Sequence, residues 1–245
     1  ADATLVGWVE SPLPSNFEEQ RELQRQSLRK LRVALVASDS GIEVIDLILE
    51  AKRPILRLLL PCGTCADVSV ENRLGAKKSA LLARHIAVGH PALGAACAVM
   101  KSWAKRRGVY GQSCGFPSGL GFSCMVIFAA QRLVPPGAVE DIQEVKDYAD
   151  VQEVYARLQL RCSEGQKELP QLLHGIFGFY AEDFDWSRHV VSLPQKNMAL
   201  GADTLRIQDP VQTELDLARP YMNQARSDLL RQELFEAFQQ LHSGR

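Results

Sequence analysis

The sequence predicts an α+β protein made of a small sheet unit, residues 1–73, followed by a helical unit, residues 74–245. Two observations carry this reading. Short β-rich apolar runs, punctuated by Gly and Pro, crowd the stretch before Gly75, whereas from there on apolar residues recur at helical spacing. No internal repeat or low-complexity linker interrupts the order, so a sheet segment followed by a helical segment is the expected architecture. With 245 residues, 46% of them hydrophobic, and a net charge of −1, the chain can bury a substantial core. Because the chain is not basic as a whole, any nucleic acid must be met by a local basic stripe.

In chain order, residues 2–9 form an apolar strand closed by Pro12, Pro14 and Ser15. Asn16 caps a helix over residues 17–38, with Glu18 and Glu19 in its first turn, where the helix dipole favours acids. Three short strands follow in IEVIDLILEA, RPILRLLL and ADVSV, with Pro54 at a strand start or edge. Helices are expected at residues 77–89, 91–107, 119–134, 139–160, 169–184 and 218–242. The charged stretch from Glu140 to Arg161 reads as a solvated helix face, and Phe177, Tyr180, Phe184 and Trp186 read as core.

Six cysteines at 62, 65, 97, 114, 124 and 162 are read as reduced thiols, because the C-x-x-C of Cys62 and Cys65 has no second ligand pair at zinc spacing. No apolar run is as long as a bilayer span and the residues from Ala1 do not read as a signal peptide. No membrane partner and an intracellular location are therefore expected.

Lys101 and Lys105 stand one helical turn apart in KSWAKRRGVYG. Like charges at that spacing repel by a few tenths of a kcal/mol, so the pair suits an anion. Arg106 and Arg107 extend it into a basic stripe suited to RNA phosphates or to solvent.

The blocks CADVSVENRLG, KSWAKRRGVYG, LLHGIFGFYAEDFDW and IQDPVQTELDLAR, in that order, resemble the noncanonical poly(A) polymerases and terminal uridylyltransferases. These belong to the DNA polymerase beta-like nucleotidyltransferase superfamily, and the resemblance runs from Asp2 to Arg219. It implies a nucleotidyltransferase sheet domain, incomplete at its N-terminus, followed by a helical poly(A) polymerase-like domain, with the nucleotide between them. It also implies two divalent cations, magnesium (Mg2+) or manganese (Mn2+), held by clustered carboxylates while an RNA 3′ hydroxyl attacks the nucleotide in line.

Asp67 matches the third carboxylate of that pattern. Asp2 matches the second, with the first preceding Ala1, or else matches the first, with Thr4 in the second place. Under either alignment the Gly-Ser motif that precedes the carboxylates in the family is missing from this sequence. Lys101 and Lys105 correspond to the lysines that reach the triphosphate, and Asn72 and Ser79 to residues at the ribose. Asp209 corresponds to an acid that helps read the uracil edge, directly or through water, with Gln212 offering a donor and an acceptor beside it. In the turn FPSGLGF, Ser118 and Gly119 complete the nucleotide-binding set. The family's Ser-Tyr phosphate contact and aromatic platform are replaced there by Gly119 and Leu120.

The function implied is addition of uridylates from UTP to an RNA 3′ end. Two alternatives stay open: a poly(A) polymerase using ATP, and a noncatalytic scaffold or RNA-binding subunit with the same fold. The compact trypanosomatid RNA-editing enzymes are the subgroup suggested. A mitochondrial location and a larger RNA-processing complex would follow from that subgroup.

Overall fold

A computed structural model describes residues 16–51, 53–133, 167–193, 199–200, 204–218 and 222–244. The strand expected at residues 2–9, the helix expected at 139–160 and Cys162 lie outside them. The chain divides into two compact units, Ala1–Ala76 and Lys77–Arg245.

In the first unit α1 (Phe17–Ala37) starts at Asn16, whose side chain accepts the Glu18 N–H at 3.0 Å. Three antiparallel strands follow in the order β1 (Glu43–Ile48), β2 (Ile55–Leu59) and β3 (Cys65–Val68). In β1 the apolar spacing changes from two residues, Ile42 to Val44, to three, Val44 to Leu47. A bulge between Val44 and Asp46 absorbs the extra residue and keeps both side chains on the α1 side. Leu28 of α1 packs there with Leu56 and Leu58 of β2, all three buried. Each is worth about 2 kcal/mol against the exposed state.

α2 (Arg73–Val88) is capped by Asn72, whose Oδ1 accepts the Gly75 N–H at 3.1 Å. A Cβ on Gly75 would lie 2.5 Å from the Asn72 amide, so glycine is what lets this cap close. The chain enters it through Glu71, a left-handed residue with φ +53° that pairs with Arg73 at 3.1 Å.

The second unit contains the rest of α2, then α3 (Leu93–Arg106) and α4 (Gly119–Leu133). Beyond them lie α5 (Leu169–Gly178), which ends in a wide π turn over Phe179–Asp183, and α6 (Gln224–His242). The helix expected over 169–184 thus changes geometry at Phe179, and the last helix starts at Gln224, where the Asn223 side chain accepts the Arg226 N–H at 3.0 Å. A second sheet was not expected. In it β4 (His189–Val191) pairs antiparallel with β5 (Ala199–Leu200) and parallel with β6 (Arg206–Ile207). Strands of two or three residues are too short to show a period of two.

The core of this unit surrounds α4, in which Gly121 to Ala130 are all buried. The four expected core aromatics are there. Trp103 meets Phe177 edge-on at 5.2 Å, the Tyr180 hydroxyl donates to the Met125 carbonyl at 2.8 Å, and the Trp186 indole N–H donates to the Tyr180 carbonyl at 2.9 Å. Cys97 and Cys124 are buried free thiols, and Cys62, Cys65 and Cys114 are exposed ones.

His85 is buried on α2, and burial, helped by the charge of Arg84, lowers its pKa to about 4. A neutral buried imidazole binds no proton between the unfolded value near 6.5 and about 4, whereas the unfolded chain does, so its contribution to stability is lost as pH falls through that window. In denaturant unfolding, wild type should therefore lose about 2 kcal/mol more than His85→Leu between pH 6.5 and 4.5. Parallel pH profiles would show that His85 titrates normally.

Candidate nucleotide site

Candidate groups occur in each unit. On the first sheet the ladder aligns Asp46, Arg57 and Asp67 in one row across three strands. Arg57 grips both Asp67 oxygens, Nε to Oδ1 at 2.8 Å and Nη2 to Oδ2 at 3.2 Å. The guanidinium pKa is raised by the Asp67 hydrogen bonds and charge. The expected metal ligand is therefore a carboxylate already held by a cation, and Asp2 lies outside the described residues. Among the described residues no cluster of three His, Cys, Asp or Glu could hold a metal ion. These residues by themselves do not fit a divalent cation, which would have to replace Arg57 at Asp67.

Asn72, the expected ribose contact, is the α2 cap. Its Oδ1 also accepts from Arg53 at 2.6 Å and its amide donates to Ser69 at 3.3 Å. Ser79, half-buried on α2, follows Lys78 directly.

In the second unit the groups gather about the N-terminus of α4. Ser118 caps that helix, its Oγ accepting the Gly121 N–H at 3.4 Å. A Cβ on Gly119 would come 2.8 Å from the Tyr110 hydroxyl and 3.6 Å from Lys101 Cδ. The missing side chain is thus what lets Tyr110 and Lys101 reach the start of α4. Tyr110 stacks on Phe122, centroids 5.8 Å apart and planes at 8°, and Lys105 Nζ sits 5.0 Å from the Tyr110 ring centroid. Lys105 thereby leans onto an aromatic ring, and Lys101, half-buried, lies close enough to Cys97 to oppose the effect of burial, which pushes that thiol up to about 12. The positive end of α4 and two ammonium groups together form an anion-binding wall. Leu120, where the family has an aromatic platform, packs against the core.

Asp209 and Gln212 lie in the turn after β6. Asp209 is fully buried, and its Oδ1 accepts the N–H groups of Val211 and Gln212, both at 3.0 Å. Its Oδ2 binds the Lys78 ammonium, which also donates to Gln212 Oε1 at 3.4 Å. Both Asp209 oxygens are thus engaged by protein donors. The same turn is joined to α4, since burial and the Asp209 charge push the Cys124 thiol up while Lys78 opposes them.

Lys78 is the group that sequence reasoning missed. It stands with Leu82 and His85 on one stripe of α2, at positions i, i+4 and i+7, and both of those neighbours are buried. A single lysine on such a stripe asks for a buried partner. Arg107, read from the sequence as suited to RNA phosphates or to solvent, has its guanidinium paired with Glu233 and, at 2.8 Å, Glu236, both on α6. Arg106 remains exposed and donates to Ser102 at 3.2 Å.

A small antiparallel sheet followed by a helical unit is a plan that this chain shares with solved terminal uridylyltransferases, and its likeness in sequence is to the same enzymes, which bears out the resemblance read from the sequence blocks. No protein-family profile matches the chain. Human terminal uridylyltransferase 7 is 27% identical over 175 residues, 65% of this chain and 12% of its own length. Terminal uridylyltransferase 1 of Leishmania tarentolae is 28% identical over 158 residues, 57% of this chain and 13% of its own. The chain thus spans about one eighth of these curated relatives. Among solved structures, terminal uridylyl transferase 4 from Trypanosoma brucei with bound UTP and UMP matches 95% of this chain and 76% of its own, with a TM-score of 0.64 and 18% identity. RNA Editing TUTase 1 from the same organism, bound to a UTP analogue, matches 89% of this chain and 70% of its own, with a TM-score of 0.61 and 17% identity. At those identities the likeness establishes the fold.

The buried ion pair yields a stability test. Lys78→Met leaves the Asp209 carboxylate without its counter-charge and should cost about 3 kcal/mol in urea unfolding. Adding Asp209→Asn, which keeps an acceptor for the Val211 and Gln212 N–H groups, should recover most of that loss. An additive double variant would show that the two residues are not coupled.

Proposed function

We propose that this chain carries the nucleotide-binding part of a terminal uridylyltransferase, with UTP as donor and an RNA 3′ hydroxyl as acceptor. The observation that carries this reading is the convergence of Lys101, Lys105 and the N-terminus of α4. Three positive elements on one wall match a triphosphate better than they match an isolated surface. The likeness to uridylyltransferases in sequence and in fold supports uracil as the base and RNA as the acceptor.

In this reaction the RNA 3′ oxygen forms a bond to the α-phosphorus as the bond from that phosphorus to the bridging oxygen breaks, and pyrophosphate leaves. Lys101 and Lys105 hold the β and γ phosphates and take up the charge that grows on them as that bond breaks. Ser118 and Gly119 set the start of α4 beneath the same phosphates. No described helix is long and apolar enough to cross a membrane.

A second reading, a nucleotide-binding subunit without activity, is favoured by the hold of Arg57 on Asp67. Extension of a labelled RNA primer separates the two. The enzyme reading expects UTP to be used at least tenfold better than ATP, and Asp67→Ala to abolish extension with stability changed by less than about 1 kcal/mol, as for a half-exposed ion pair. Extension that survives Asp67→Ala would remove that residue from the chemistry, and a tenfold preference for ATP would move the chain to the poly(A) polymerases.

The phosphate wall is tested by calorimetric titration with UTP. Lys101→Ala should lower affinity about tenfold, Lys105→Ala less because that ammonium lies over the Tyr110 ring, and RNA affinity should hardly change. Unchanged UTP affinity in both variants would leave the lysines as a basic helix end.

A further inference from the structure

The Lys78 ammonium has three N–H donors and, among the described residues, two acceptors, the Asp209 carboxylate and Gln212 Oε1. Asp209 is fully buried with both oxygens engaged, whereas the Lys78 side chain keeps 12% of its exposure. Of this pair only the cation reaches solvent. It is a pre-oriented donor, because rotation of its long side chain is restricted by two acceptors on one turn. The turn that holds it adjoins the start of α4: a Cβ on Gly121 would come 3.4 Å from Ile207 Cδ1, two residues before Asp209, and one on Gly119, two residues earlier on α4, 3.6 Å from Lys101 Cδ.

We propose that Lys78 is a specificity-determining residue of the nucleotide site, donating from its ammonium to a carbonyl oxygen on the base of the incoming nucleotide. This rests on the reading of the α4 wall as a nucleoside triphosphate site. The chemistry then selects among bases. Uracil presents carbonyl acceptors, cytosine and guanine one each, and adenine presents an amino donor and ring nitrogens with no carbonyl. An ammonium fixed in place meets a uracil carbonyl as a charge-assisted hydrogen bond and meets the adenine amino group donor against donor. Asp209 serves as the positioning residue. It neutralises one of the lysine charges near the site and aims the ammonium, so that the uncharged base does not face a bare cation.

The test measures binding of UTP, CTP, GTP and ATP to the full chain by calorimetry, for wild type, for Lys78→Met combined with Asp209→Asn, and for Lys78→Arg. Thermal melting of each variant first establishes that it is folded. Wild type should bind UTP at least tenfold more tightly than ATP, and the neutral double variant should bind the two within twofold of each other, with ATP affinity kept within threefold. If the double variant does not fold, Lys78→Arg decides, because its planar fork places its donors elsewhere: a UTP-to-ATP ratio changed more than threefold supports the proposal and an unchanged ratio overturns it. A folded double variant that keeps the tenfold preference, or that loses UTP and ATP equally, also overturns it and leaves the phosphate wall intact. Wild type that binds no triphosphate overturns the nucleotide site and this proposal with it.

Discussion

The burial of α4 is the constraint on which the second unit depends. Ten consecutive residues, Gly121 to Ala130, are withdrawn from water on every face. A helix buried all round needs neighbours on all sides and leaves no solvent to satisfy a stray polar atom. The surrounding elements meet both demands. α3 and α5 pack against it, Gly121 makes room for Pro117 and Ile207, and the Tyr180 hydroxyl takes the Met125 carbonyl. With the helix body sealed, its N-terminus is where backbone donors and charged side chains gather.

Two ion pairs of the molecule show how burial changes what a charge does. Arg57 and Asp67 lie nearly half-exposed on a sheet surface, where water competes for both partners and the pair is worth about 1 kcal/mol or less. Such a pair can exchange one partner for another cation. Lys78 and Asp209 are largely withdrawn from water, where removing either partner leaves the other without its counter-charge. This second pair joins α2 to the turn after β6.

Much of the fold was legible in local pattern. Asn16 with Glu18 and Glu19 marks the start of α1, and the apolar stripes of α2, α3 and α4 follow from helical spacing. Even the β1 bulge is foreshadowed by the change from two-residue to three-residue spacing at Leu47. The second sheet was not legible, because β5 and β6 have two residues each and their pairing is decided by chain packing. The capping duties of Asn72 and Ser118 were overlooked for a different reason: a short polar side chain before a helix serves the backbone as readily as a ligand.

The sequence by itself determined the order of a sheet unit before a helical unit, the placing of Lys101 and Lys105 one turn apart at the end of α3, and the blocks shared with uridylyltransferases. These are properties of neighbours in the chain, set by the period of the helix and by side-chain chemistry. Tertiary structure alone decided which charges meet. Lys78 and Asp209 are 131 residues apart, and Arg107 reaches Glu233 across 126. Nothing local links such residues, since each pairing exists only where packing brings two helices, or a helix and a turn, within a few ångströms. That is why Asp209, which the sequence casts as a base reader, is paired beneath the surface with a lysine that the sequence did not single out.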